Sequence, residues 1–308
     1  MGNVVLPYVI SGISVGGQYA LIAIGYTMVY GILRLINFAH GDVFMVSGLL
    51  MVYLAASFPL YIAIPLVILF TVLLGYSIER VAYRPLRTRQ APRMSIMISA
   101  IGVSYLLQNL ALYITGGLNK NYPAIPWISD RVTVFGMETS RVTIITPFLT
   151  IILVVLLVLL INHTKIGMAM RAVSLNFETS QLMGIRINNV ISVTFVIGTF
   201  LAAIGSMLFF TNYPGVVPTS GAMPGLKAFV AAVFGGIGSI PGAVIGAFII
   251  GICESLIKGL DTILMVSGVT TEQIGLATFS DAFTFVLLII ILVFKPSGLF
   301  GEKTTDKV

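Results

Sequence analysis

An imidazole and a carboxylate stand two positions apart at His40 and Asp42, with Asn37, Phe38 and Gly41 around them. A His beside an Asp can relay protons or activate a nucleophile. The second use needs a Ser or Cys nucleophile motif such as GxSxG, and none is read beside the pair. A further use of such groups is to touch a polar solute. The cluster interrupts two long apolar runs, where a membrane helix should still be passing through hydrocarbon. Ionisable groups there are costly and face a protein interior or a water-filled path. A broken helix is tolerated at that depth only where it lines a cavity or is buried in protein. Asn37, Phe38, His40, Gly41 and Asp42 are therefore read as part of a translocation path. A structural role runs beside this one: Asn37 and His40 satisfy frayed helix ends, and Asp42 or Gly41 caps the helix through Val43–Ser57.

The elements that position this cluster follow from composition. Of 308 residues, 57% are hydrophobic and 9% charged, against roughly 25% charged in a soluble domain. Many apolar runs are long enough to cross ~30 Å of hydrocarbon. The fold class is all-α, a polytopic membrane helical bundle of about eight membrane segments, forming one transmembrane domain over 1–308. The net charge of +6 is carried by few, scattered residues, so it is read as topogenic loop charge and not as a nucleic-acid surface. One cysteine, Cys253, allows no intramolecular disulfide and no Cys-based metal cluster. The first residues lack a basic stretch, so no cleaved signal peptide is expected. There is no GxxxxGK[ST] phosphate loop and no HExxH metal motif.

Along the chain, residues 4–33 form an apolar run longer than one span needs. Gly12 and Gly16 permit close helix contact, but that spacing arises readily by chance in a Gly-rich helix and little rests on it. Further spans are expected at 61–78, 94–114, 143–162 and 190–211. Residues 79–93 hold five arginines and are taken as a cytoplasmic loop. Gln108 and Asn109 interrupt 94–114; they are read as glue between helices, with path lining as a second role. Residues 115–142 are polar, contain Trp127, and are expected outside. In a second cytoplasmic loop, 163–189, Asn176 suits an N-cap, Glu178 a first turn, and Gly184 the position after a helix end. This predicts a short helix, Phe177–Met183, with Phe177, Leu182 and Met183 exposed to a partner or to the lipid interface.

In the second half, two apolar segments of 226–258 flank Gly235-Gly-Ile-Gly-Ser-Ile-Pro-Gly242. Their lengths predict a helical hairpin that enters the membrane and turns at Gly235, Gly236, Gly238 and Ser239, which are added to the path. The hairpin puts Lys227 and Glu254 at similar depth near the outer mouth, as a structural ion pair, with Lys258 at i+4 from Glu254. Residues 259–280 read as an outer loop and 282–294 as the last apolar segment, stopped by Lys295-Pro296. The tail, with Lys303 and Lys307, is expected in the cytoplasm. A broken segment thus occurs in each half, at 36–42 and 235–242, which points to a binding or translocation region between two halves.

Tyr19-Ala-Leu-Ile-Ala-Ile-Gly-Tyr-Thr-Met-Val-Tyr-Gly-Ile-Leu, running into Ile36-Asn-Phe-Ala-His-Gly-Asp42, closely resembles the permease subunit of the high-affinity branched-chain amino-acid ABC importers of the LivH type. Three further stretches agree: Gly167-Met-Ala-Met-Arg-Ala-Val-Ser-Leu-Asn with Leu182-Met-Gly-Ile, then Lys227-Ala-Phe with Gly235-Gly-Ile-Gly-Ser-Ile-Pro-Gly-Ala, and Lys295-Pro-Ser-Gly-Leu-Phe-Gly. The resemblance implies a second, similar permease subunit, two cytoplasmic ATPase subunits, and a periplasmic binding protein that delivers Leu, Ile or Val. It implies no cofactor on this chain, with ATP hydrolysed by the partner subunits, and a place in the bacterial inner membrane, in contact with lipid. It also implies a coupling role, docking on the ATPase, for Arg171, Asn176, Phe177, Glu178 and Gly184. Glu178 and Ser180 depart from the small residues that relatives often carry there, which leaves the individual contacts open.

Within the path, the physical argument is that a zwitterionic solute needs a partner for each charge and apolar walls for its side chain. Helix N-termini at the two breaks offer NH groups to a carboxylate, and Asp42 offers its charge to an ammonium unless it is consumed as a cap. Urea permeases look similar and share these motifs. A stand-alone secondary transporter relaying protons through His40 and Asp42 is the alternative from another class, and an intramembrane enzyme is the third. Neither needs a capped cytoplasmic helix that docks an ATPase.

Overall fold

Apolar stretches punctuated by proline, glycine and charge set where this chain is helical. The computed structural model describes residues 2–134, 137–266, 275–295 and 297–301. The expectations for Pro296, Lys303, Lys307 and 267–274 of the outer loop lie outside the described residues. In chain order the helices are α1 (Gly2–Leu33), α2 (His40–Ser57), α3 (Leu60–Ile78), a π-turn (Glu79–Tyr83), α4 (Arg84–Thr88), α5 (Arg93–Thr115), α6 (Arg141–His163), α7 (Lys165–Leu175), α8 (Phe177–Leu182), α9 (Ile187–Asn212), α10 (Ala222–Gly235), α11 (Ile240–Val266) and α12 (Ser280–Phe294). Among the described residues, eight helical stretches are long and apolar enough to cross a membrane, as the composition predicts. The exception among the long apolar elements is α10, whose 14 residues reach only about 21 Å.

Helix ends follow local chemistry. Phe58 is extended (φ −128°, ψ 150°), as the residue before Pro59 must be to avoid the proline ring. Gly116 closes α5 in the left-handed conformation (φ 65°), which costs glycine nothing. The arginine stretch is a correction: it is mostly helix, not loop. Pro85 has no N–H to give and its ring would strike the carbonyl four residues back. The helix widens into the π-turn just before it, where Arg84 N–H reaches Glu79 O. Glu79 is buried and is held by Arg87 Nη2 at 2.9 Å and by Ser192 Oγ at 2.7 Å, which ties the turn to α9.

At the core of the bundle α1 runs antiparallel to α11, with α9 and α2 beside it. Gly12 and Gly16 are a real contact: a Cβ on Gly16 would lie 2.7 Å from Phe248 Cα and 2.9 Å from Ala247 O. The same five residues, Gly12-Ile-Ser-Val-Gly16, also spell GxSxG. They lie inside a helix with Ser14 buried against the bundle, not on a strand-to-helix elbow, so they pack and do not carry a nucleophile. Substituting Gly16→Val is expected to destabilise the chain by about 1–3 kcal/mol through overpacking. Gly102→Val, with nothing within 4 Å of the added carbon, is the control in thermal unfolding of the solubilised protein.

The long N-terminal run is one span, not a span plus a half-helix. Tyr8 lies against Gly259 and Gly16 against Phe248, and a Cβ on Gly31 would lie 3.8 Å from Gly238 Cα, so α1 follows α11 and reaches the turn that precedes it. One end of the bundle collects Arg34, α4, α7, α8, the turn 236–239 and residues 299–300, whose N–H groups donate to Phe234 O and Gly235 O at 2.9 Å. We call this the basic end. The opposite end carries 116–140 and 213–221, where short strands pair: β1 (Lys120–Asn121) with β4 (Gly215–Val216), and β2 (Arg131–Val134) with β3 (Met137–Ser140). These strands are not anticipated by the sequence reading. The predicted hairpin exists, but its second arm, α11, has 27 residues and crosses fully; the turn therefore sits at the basic end and not part-way.

Candidate functional site

Both chain breaks are present; the first is shifted toward the N-terminus relative to 36–42, and the second is narrower than 235–242. His40, Gly41 and Asp42 already form the first turn of α2, and Gly235 and Gly242 belong to α10 and α11. The chain is non-helical at 34–39 and 236–239. The breaks meet: Ile36 and Ile237, with Tyr26 and Phe229, enclose a void of about 10 Å³, room for about one water molecule. Gly236 and Gly238 have φ of 105° and 101°, backbone that an L side chain rarely adopts. Ser239 Oγ accepts from Gly242 N at 3.2 Å and so caps α11. The glycines and Ser239 build the turn.

The expected capping role of Asp42 is overturned. The N-cap of α2 is Ala39, with no side-chain bond, and His40 N and Asp42 N take carbonyls of Asn37 and Ala39 at 3.1 Å. The Asp42 carboxylate points away from its own helix end and accepts from Ser104 Oγ at 2.5 Å and Gln108 Nε2 at 2.9 Å. Gln108 is thus interhelical glue, as read. Asn109 does not act as glue within this chain: it is exposed and bonds Tyr105 O of its own helix at 2.8 Å. The signal for the Asp42 clamp was present, since Ser104 and Gln108 are i,i+4 and share a face.

Asn37 Oδ1 accepts from Tyr83 OH at 2.7 Å, which joins the first break to the π-turn. Phe38 is 38% exposed. The His40 ring fills a slot between Gly25 and Gly198 and meets Tyr26 edge-on at 5.0 Å. Gly41 packs against Gly221 and Gly225, where any side chain would strike backbone. Neither His40 nor Asp42 lines a described cavity. Asp42→Asn preserves one acceptor for Gln108 and one donor for Ser104, so it is expected to fold and transport as the native chain does. Asp42→Ala leaves two partners unpaired at a cost of roughly 1–3 kcal/mol. Uptake and melting of both variants check this; a folded but inactive Asp42→Asn chain would restore a proton relay.

The larger feature is on the other side of α10. Lys227 Nζ lies 2.7 Å from Glu254 Oε1 and 2.6 Å from Asp281 Oδ1. Lys258 Nζ is 2.5 Å from the same Glu254 oxygen, and Tyr19 OH donates to Glu254 Oε2 at 2.9 Å. The expected Lys227–Glu254 pair is present. It also borders a cavity of about 320 Å³ whose walls include Val15, Phe209, Tyr213 and Met223, open toward the end opposite the arginines. Sequence reading recognised the ion pair and missed the cavity, which depends on how α1, α9, α10 and α11 converge.

At the basic end, the predicted short helix is α8. Asn176 Oδ1 accepts from Thr179 N at 3.0 Å, Glu178 is in the first turn, and Gly184 follows with φ 82°. A preceding helix, α7, is an addition, capped by Thr164. Arg171 Nη1 bonds Asn162 Oδ1 at 3.0 Å. Phe177 differs from expectation: it is half-buried and packs against the buried cluster that contains Met170, Val173 and Ile191, which gives α8 an anchor. Leu175, Leu182 and Met183 are the exposed apolar groups, at 87%, 87% and 79%.

Residues 8–292 match the family described as branched-chain amino acid transport system / permease component. Among curated proteins, the high-affinity branched-chain amino acid transport system permease protein BraD of Pseudomonas aeruginosa is 40% identical, with 98% of each chain covered. The corresponding LivH proteins of Salmonella typhimurium and Escherichia coli K12 are 37% and 36% identical over 98% of this chain and 97% of theirs. A bundle of apolar helices with two facing breaks and nearly full-length matches of this kind have one conclusion: the chain belongs to the family of branched-chain amino acid transport system permease components.

Proposed function

We propose that this permease is the membrane-spanning subunit of an ATP-driven importer of leucine, isoleucine and valine. It pairs with a second, homologous permease, receives solute from an extracytoplasmic binding protein, and is driven by two cytoplasmic ATPase subunits. ATP is hydrolysed on those subunits, and this chain carries no cofactor. The chain lies in a bacterial cytoplasmic membrane with its basic end, including α4, α7, α8 and the C-terminal residues, on the cytoplasmic side, where positive loop charge is retained.

The observation that carries the reading is the α7–α8 pair. A two-helix unit capped at both starts, anchored by Phe177 and presenting Leu175, Leu182 and Met183 to the outside, fits a groove on a partner. Isolated, so short a helix gains little from its own hydrogen bonds. In this reading Arg171, Asn176 and Gly184 hold the shape, Phe177 seats it, and Glu178 with the exposed apolar residues meets the ATPase. A stand-alone transporter has no use for such a surface, and His40 is buried and lines none of the described cavities, which does not favour a relay.

The test is uptake of labelled leucine and labelled urea into proteoliposomes holding the chain, its sister permease, the ATPases and the binding protein, with and without internal ATP. ATP-dependent leucine uptake is expected. Uptake of urea alone would change the substrate and keep the mechanism; uptake by this chain without ATP or partners would overturn the importer reading.

A further inference from the structure

We propose that the cavity bordered by Lys227, Glu254 and Lys258 is a transient binding site for an aliphatic α-amino acid, whose carboxylate is taken by Lys258. The proposal rests on the importer reading for its solute class and on separate geometry for its place.

The three charged groups are not equivalent. Lys227 is buried and paired with two carboxylates, Glu254 and Asp281. Glu254 is buried and already accepts from Tyr19, Lys227 and Lys258. Lys258 is the odd member. Its side chain is 45% exposed, and among the described residues its carboxylate partner is an oxygen that Lys227 also uses. An ammonium has three donors, so Lys258 keeps donors for a further acceptor at the cavity. Lys227, Lys258 and Glu254 border the void, and Asp281, which does not line it, lies 2.6 Å from Lys227, so Glu254 and Asp281 balance the two lysines and the positive charge that faces the void is that of Lys258.

The remaining walls combine apolar Val15, Phe209, Met223 and Pro224 with the hydroxyl-bearing Tyr19, Tyr213 and Ser220. A cavity of about 320 Å³ falls at the small end of the roughly 300–1,000 Å³ of small-molecule sites. A half-exposed ammonium at Lys258 and apolar contact from Val15, Phe209 and Met223 fit a carboxylate carried on a branched hydrocarbon. The ammonium group is left to the hydroxyl of Tyr213, on the rim. Lys258 meets the solute carboxylate with a free donor while it holds Glu254, so binding costs little reorganisation. Glu254 keeps Lys227, Lys258 and Tyr19. A site of this kind is weak by construction, which suits a path that must release its solute.

The test is saturation-transfer NMR on the full chain in nanodiscs with millimolar leucine, valine and leucinamide. Leucine and valine are expected to compete for one site, and leucinamide, which lacks the carboxylate, to give no signal. Lys258→Gln should weaken leucine binding about tenfold or more, the loss expected for one hydrogen bond between charged groups. Lys258→Arg should restore it, and all three chains should melt alike because Lys258 is half-exposed. Leucine binding unchanged in Lys258→Gln, leucinamide binding as well as leucine, or no leucine signal at all would each overturn the proposal. The importer reading fails separately: site binding present, with no ATP-driven uptake in the assembled complex, would sink that reading and leave the site standing.

Discussion

Replacing Leu182 and Met183 together by serine is expected to abolish most ATP-driven leucine uptake while the membrane bundle stays folded. Both side chains are almost fully exposed at the end of α8, so their loss removes nothing from the core. If they seat in an ATPase groove, burying each is worth roughly 1.5–3 kcal/mol, and losing both weakens docking by about two orders of magnitude or more. The measurement is recovery of ATPase subunits on a tagged permease, followed by uptake. Phe177→Ala gives the contrast. It removes a half-buried, inward-packed ring, so it should lower the melting temperature of the permease itself, by the equivalent of about 1–2 kcal/mol. Full docking and uptake in the Leu182/Met183 double variant would move the coupling surface off α8.

The two kinds of residue in that contrast mark what a sequence discloses. Asn176, Glu178 and Gly184 work through backbone groups a few positions away, so cap, first turn and helix stop could be read directly. The outward or inward aim of Phe177 depends on α9, whose position no local rule supplies. The same division runs through the bundle. Gly236 and Gly238 announce a turn because their backbone conformations exclude other residues. The Lys227–Glu254 pair could be read because a hairpin fixes the level of its two arms. Asp42 was assigned to the nearest helix end, a local reading, whereas its actual partners Ser104 and Gln108 lie more than sixty positions away. The arginine stretch was taken for a loop on its charge alone. Pro85 widens that helix without ending it, and Arg87 spends its charge on buried Glu79. The cavity beside Lys258 had no sequence signal of its own, since four helices must converge to leave it.

Substituting Glu254→Ala is expected to be the most damaging single change, at about 3–5 kcal/mol, the cost of removing one partner from a buried ion pair. Glu254 is buried and takes three donors. Without it, Lys227 retains Asp281, which is 42% exposed, and Tyr19 loses its acceptor. The carboxylate does not create net stability by being there, because burying both charges cost a comparable desolvation. The double variant Lys227→Met, Glu254→Leu removes both charges and keeps the volume, and such replacements are often neutral or stabilising by about 1–4 kcal/mol. It should therefore melt near the native chain, while Glu254→Ala does not, as read by thermal unfolding in detergent. Transport then separates two reasons for the cluster's existence. A double variant that is stable and transports normally would make the pair a dispensable packing element, as the sequence alone suggested. A stable double variant that no longer carries leucine would mean that the charges stay in the bundle, despite their desolvation cost, because the solute passes beside them.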